Sequence, residues 1–248
     1  MPRYFIEVSY KGTNYSGFQI QQNANSIQSE VSKAFKIFFK KDFELTGSSR
    51  TDAGVHALQN FFHFDIYEPL NFENDFQYNL NALLPRDIVI KKIFNVKDNA
   101  HCRFDAISRE YKYFIFQQKD PFLQETSFYY PYKVDINKLN EAARKIMKYE
   151  DFTSFSKRNT QVKNFFCRIE KSEWYVEEEK IVYNVIADRF LRGMVKALVG
   201  TMLRVGTNKI SLDDLSKIIE DKDCSKADFS PPSHALFLKA VNYTSQIF

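Results

Sequence analysis

The sequence predicts an α+β protein, a largely antiparallel sheet with flanking helices, built as two similar halves. Three observations carry this. Segments that alternate apolar and polar residues recur along the chain, as strands with one buried face do. Between them stand stretches whose apolar residues return every three or four positions, the mark of amphipathic helices. Within NFFCRIEKSEWYVEEEKIVYNVIADRF (164–190), two strand-like runs are joined by an acidic turn, which reads as a hairpin.

Taken in order, residues 3–10 (RYFIEVSY) alternate, with Tyr4, Ile6 and Val8 on one side and Phe5 on the other. A polar, turn-rich stretch leads to Ser26, placed to cap a helix whose apolar face is Ile27, Val31, Ala34, Phe35 and Phe38. FELTGSS reads as a short strand and LQNFFHFDI as a longer one. NFENDFQYNLNALL (71–84) reads as a helix ending before Pro85, because a proline pushes its predecessor out of helical geometry. DIVIKKIFNV is a strand. In the second half, 108–116 is β-rich in composition. Residues 135–149 are helical, with Leu139, Ala143, Ile146 and Met147 on one side. Residues 191–205 and SLDDLSKIIED behind Ser211 are also helical, and HALFLKAVNY closes as a strand. The boundary between halves falls near 95–107, giving 1–104 and 105–248. No Pro/Gly/Ser linker marks it.

The chain has 248 residues, 44% of them hydrophobic and 27% charged, the make-up of a globular protein and not of a disordered one. No apolar run reaches the roughly 18–20 residues of a membrane helix, and the first residues lack a long apolar secretory core, so no membrane is expected. Cys102, Cys167 and Cys224 are odd in number and far apart, which suits a reducing cytoplasm better than a disulfide framework or a thiolate zinc site. A net charge of +4 is mildly basic and compatible with an anionic partner. The 25 Phe and 14 Tyr fit a Phe-built core; a few on an open sheet would also suit base stacking.

The densest run of reactive and turn-forming residues is Gly47-Ser48-Ser49-Arg50-Thr51-Asp52-Ala53-Gly54-Val55-His56-Ala57, between two strands. Arg50 and Asp52, two apart, share a side in an extended segment, and Gly54 permits a turn that a Cβ would resist. By itself, R-x-D-x-G equally describes a surface hairpin with a solvated ion pair.

The full string SSRTDAGVHA resembles the active-site motif of the TruA-like tRNA pseudouridine synthases. The likeness runs through most of the chain: VSYKGTNYSGFQIQ, HCRFDAISREYKYFIF (similar to H-A-R-F…R-x-Y-x-Y), DFTSF, and FLRGMVKALVGTMLRVG. Ser49 stands where the family commonly has Gly, Phe18 where it has Trp, and Lys196 where it has Arg. The resemblance implies two similar halves with a cleft between them, the pseudouridine synthase fold. It makes Asp52 the catalytic aspartate and Tyr111 the ring that stacks on the target base. It implies action on tRNA at anticodon stem-loop positions 38–40, as a homodimer.

Conversion of uridine to pseudouridine breaks C1′–N1, turns the base, joins C5 to C1′ and removes the C5 proton. No redox change or group transfer occurs, so no cofactor or metal is demanded. A fixed carboxylate can attack C1′, add to the base, or remove the C2′ proton; all three need it ionised, and the sequence leaves them open. A stacked nucleotide must also be extruded, at about a few kcal/mol. Arg50 is placed to fill the gap or grip the phosphate. On the 191–205 helix Arg192, Lys196 and Gly200 fall at i, i+4 and i+8. That pattern is either a solvated face or a side on which Lys196 pairs with Asp52, Gly200 allows close approach, and Arg192 and Arg189 meet phosphates. An ammonium is a looser partner for a carboxylate than a guanidinium. His56, His63, His101 and His234 match no ligand spacing, so no metal is expected, and His56 is assigned to supporting the loop beside RNA. The basic loop 156–164 fits RNA contact or plain solvation. Two rival readings remain, a non-catalytic RNA-binding protein on this fold and a synthase with another RNA target.

Overall fold

The computed structural model describes residues 1–67, 75–158 and 162–247. The first half runs β1 (Arg3–Tyr10), α1 (Ile27–Phe39), β2 (Thr46–Gly47), β3 (His56–Asp65), α2 (Phe76–Ala82) and β4 (Ile88–Val96). Then come β5 (Ala106–Phe116), β6 (Phe128–Tyr129), α3 (Ile136–Ile146), β7 (Ile169–Glu177), β8 (Lys180–Ala187), α4 (Met194–Gly206), α5 (Leu212–Glu220) and β9 (Leu236–Tyr243). Backbone contacts divide the chain into one unit of Met1–Ile107 with Leu238–Phe248, and a second of Ser108–Phe237. The fold class is α+β: β1 pairs antiparallel with β3 and β4, β2 with β3, and β8 with β5 and β7, while the short β6 lies parallel to β5.

In the first unit the strand order is β4-β1-β3-β9, with β2 also on β3. α1 starts where Ser26 predicts: the Ser29 N–H donates to Ser26 Oγ (3.1 Å), and the Ser26 N–H donates to Ser29 Oγ (3.0 Å). Its Ile27, Val31, Ala34 and Phe35 are buried. Tyr4, Ile6 and Val8 are buried as expected, but Phe5 on the opposite side is 0% exposed too. The rings of Phe61, His63, Phe94 and Tyr243 gather on it, so β1 is covered on both faces. The predicted strand 43–49 keeps only Thr46 and Gly47 in register, against His63 and Phe62. Of the predicted helix 71–84, residues 71–74 lie outside the described residues and 76–82 are helical.

In the second unit the order is β5-β8-β7. The predicted hairpin is β7–β8, with Trp174 opposite Tyr183 and their rings stacked at 4.8 Å. Asp135 Oδ1 caps α3 by accepting the Asn137 and Lys138 N–H groups, and Ser211 and Asp214 form the capping box of α5. α4 begins three residues later than the periodicity suggests. Gly193 takes φ +76°, a left-handed conformation that L side chains resist, and the helix starts only after it. Arg192 therefore lies outside the helix, and the expected Arg192–Lys196–Gly200 stripe loses its first member. Part of the basic loop 156–164, residues 159–161, lies outside the described residues. Among the described residues, no helix is long and apolar enough to cross a membrane.

Candidate active site

The segment 48–55 links β2 to β3, and its backbone is tied down on both sides of Asp52. The Ser48 N–H donates to Phe61 O (2.8 Å) and the Phe18 N–H to Thr51 O (3.1 Å). The Val55 N–H donates to Asp52 O (3.1 Å), closing a turn in which Gly54 supplies the left-handed residue at φ +77°. Asp52 is half-buried and Arg50 exposed.

Beneath the loop sits a polar network that the sequence reading missed. Asn60 is 0% exposed. Its Nδ2 donates to Ser49 O (2.8 Å) and Tyr10 OH (3.1 Å), while its Oδ1 accepts the Ser49 (3.1 Å) and Phe61 (2.9 Å) N–H groups. Its amide is thereby fully used. The Tyr10 hydroxyl shares a second hydrogen bond with Thr51 Oγ1, 2.8 Å away. Burial pushes the Tyr10 phenol well above its ordinary range, against smaller opposing contributions from Thr51 and Asn60, so it stays neutral. A signal was present: Asn60 shares the inward face of β3 with Phe62 and Phe64, and a polar group buried there requires partners. Ser49 Oγ, in contrast, is buried without a hydrogen-bond partner among the described residues.

His56 is 1% exposed, and its Nδ1 accepts the Gly12 N–H at 3.0 Å. It braces the loop from inside.

The remaining expected residues lie in the second unit. Tyr111 on β5 stands opposite Val185 and is half-buried, its ring edge-on to Phe190 with centroids 5.0 Å apart. Tyr113 and Ile115 on the same face are 0% exposed, so Tyr111 marks the margin of that core. Phe190 follows Arg189, whose guanidinium donates to Asn164 Oδ1 (3.1 Å) and whose N–H donates to Asp188 Oδ1 (2.6 Å). Arg192 is exposed, and its carbonyl accepts the Lys157 N–H (3.0 Å). Lys196, in the first turn of α4, is half-buried and donates from Nζ to Ser233 Oγ at 3.3 Å.

Gly200 is buried, and a Cβ there would come within 2.3 Å of Asp228 O. It lets the segment 228–233 close on α4. The same segment carries Ser233, and it is held further by Tyr113 OH donating to Pro232 O (2.9 Å) and the Asp228 N–H donating to Thr201 Oγ1 (3.1 Å).

His63, His101 and Cys102 bring three potential metal-ligand atoms within 4.8 Å of one another, a cluster that sequence spacing did not reveal. Their lone pairs are engaged in hydrogen bonds. His63 Nδ1 accepts the Cys102 N–H (3.3 Å), Cys102 Sγ donates to Thr46 O (3.2 Å), and His101 Nδ1 accepts the Arg103 (3.1 Å) and Phe104 (3.3 Å) N–H groups. The donor set fits a hydrogen-bonded knot better than a metal centre.

Burial, reinforced by Arg3 and His101, pushes the His63 imidazole down to about 4. An unfolded imidazole titrates near pH 6.5. Between these values the unfolded chain holds more protons, so stability is full above about pH 6.5 and falls as acid is added toward pH 4. The expected loss is on the order of 2–3 kcal/mol. Urea unfolding at pH 7 and pH 4.5 measures it, and His63→Gln is expected to flatten the difference.

Comparison with known proteins shows the family. The family description "tRNA pseudouridine synthase" matches residues 6–105 and 142–244, segments that include Asp52 and Lys196. A tRNA pseudouridine synthase A of Bacteroides fragilis is 48% identical, covering 99% of this chain and 98% of its own. Its namesake in Porphyromonas gingivalis is 45% identical over the whole of both chains. One from Staphylococcus aureus is 34% identical over 96% of this chain and 91% of its own. With most of its length matched by the family and relatives aligned nearly end to end, the chain belongs to the tRNA pseudouridine synthase family of isomerases.

Proposed function

We propose that the enzyme converts uridine to pseudouridine in tRNA at anticodon stem-loop positions 38–40, without a cofactor, and that Asp52 is its catalytic carboxylate. The observation that carries this reading is the bracing of the Asp52 loop. Thr51, Ser49 and His56 are bonded into the sheet around it, while Asp52 itself is not sealed in the core. A carboxylate held this way is placed in advance and loses little freedom when a nucleoside arrives.

The remaining residues take roles suited to their surroundings. Tyr111, held edge-on by Phe190, stacks on the extruded base. Arg50, exposed beside the loop, occupies the vacated position or grips its phosphate. Lys196, oriented by Ser233, is the cation of the reaction. Arg189 and Arg192 contact phosphates, which position RNA without reading its sequence. The working form in this reading is a cytoplasmic homodimer.

The test is to incubate the enzyme with tRNA transcripts carrying uridine at 38, 39 or 40 and to map pseudouridine. Modification confined to those positions is the expected result, and its absence at all three overturns the assignment. Affinity is expected to fall steeply with salt, each phosphate contact contributing roughly −0.7 to −0.9 to the log–log slope. A flat titration removes the phosphate roles of Arg189 and Arg192.

A further inference from the structure

We propose that the turn 101–105 of the first unit is a second RNA contact, in which the Phe104 ring stacks on an unpaired base of the substrate and Arg103 meets the adjoining phosphate. This rests on the reading of tRNA as substrate.

The turn is held far more firmly than a surface connection requires. The Asp105 N–H donates to His101 O (3.0 Å), and the His101 N–H donates to Asp105 Oδ2 (2.7 Å). His101 Nδ1 takes the N–H groups of both Arg103 and Phe104, fixing the backbone beneath the two displayed side chains. Cys102, 0% exposed, anchors the turn to three strands: its N–H bonds His63 of β3, its thiol bonds Thr46 of β2, and its carbonyl accepts the hydroxyl of Tyr243 of β9. Arg3 adds a bond from Nη1 to Ala100 O (2.8 Å), just before the turn.

What this anchoring displays is one aromatic ring. Phe104 keeps 74% of its surface exposed, although it belongs to a residue type that is usually buried. The ring is not loose: it lies against His101 with centroids 4.2 Å apart, and the Arg103 guanidinium carbon is 5.7 Å from its centre. A ring fixed in advance loses little rotamer freedom on stacking. Its neighbours decide the ligand class. Its sequence neighbours Arg103 and Asp105 are exposed and charged, so the ring is displayed between two charges. A protein interface requires a continuous buried patch, on the order of 1,000 Å² in all. One fixed ring beside a guanidinium matches instead a single base with its phosphate, the usual terms of unpaired RNA recognition.

The experiment compares tRNA affinity of wild type, Phe104→Leu, Phe104→Tyr and Arg103→Gln, with sedimentation of each. Phe104→Leu is expected to raise Kd by roughly 5- to 100-fold, the range for loss of one base stack, and Phe104→Tyr to stay within about twofold of wild type. Arg103→Gln is expected to lower the salt slope by about one. The substitutions are at exposed positions, and circular dichroism checks the fold. A photoreactive benzoylphenylalanine at position 104 is expected to crosslink to tRNA, which gives an answer independent of those variants. Wild-type affinity in Phe104→Leu overturns the inference. So does a change of sedimentation without a change of Kd, which marks a protein contact. Wild type that modifies tRNA while Phe104→Leu binds normally defeats this inference alone; wild type that neither binds nor modifies tRNA defeats the substrate reading as well.

Discussion

Asp52→Asn is expected to fold, to bind tRNA and to form no measurable pseudouridine, with release of tritium from uracil C5 falling on the order of 10⁴-fold. The amide is nearly isosteric with the carboxylate, and the bonds of Tyr10, Thr51, Asn60 and His56 that brace the loop are left in place by the substitution. What is lost is the negative charge. Attack at C1′, addition to the base and removal of the C2′ proton all need an anionic oxygen, and an amide supplies none. Substantial turnover by this variant would refute the catalytic role. Loss of binding together with turnover would mean that the loop, and not the charge, had been damaged.

Lys196→Ala is expected to lower the rate by roughly 10²-fold or more while changing tRNA affinity much less. Its ammonium is half-buried on the first turn of α4 and directed by Ser233, which itself is held in place by the segment that Gly200 admits. A fixed cation that acts on charge developing during reaction shows its loss in kcat, whereas a phosphate contact shows it in binding. Lys196→Arg, which keeps the charge, is expected to recover most of the rate. Single-turnover kinetics at saturating RNA separates the two cases. An unchanged rate in the alanine variant would remove Lys196 from the chemistry.

Much of this was legible in the residues. Periodicity located the principal strands and helices because each buries one face and writes that face into the sequence. Ser26 and Ser211 marked helix starts because an unsatisfied N–H needs a partner nearby. The short β6 was not legible, since two residues carry no period. The start of α4 was misplaced because Gly193 is read by pattern as a tolerated residue, and only its left-handed backbone shows it to be a boundary. At the site, the reactive loop stood out as a string, but its support came from residues distant in sequence. Tyr10 and Asn60 are 50 positions apart, and Lys196 and Ser233 are 37 apart. Pairings over such separations leave no local mark. The same holds for the knot of His63 and Cys102, whose spacing of 39 conceals a contact made across strands.

The return of residues 238–248 to the first unit has a consequence for how the protein is made. Chains emerge from the ribosome N-terminus first, so the Asp52 loop is synthesised early, but β9, Tyr243 and the contact of Ile247 with Lys97 arrive only after the whole second unit. Until then, β3 has a length of open edge, a template for unwanted strand addition in a nascent chain. Completion of the first unit is thereby deferred until the second unit has been synthesised, and a chain released before β9 is made carries its Asp52 loop on an unfinished sheet.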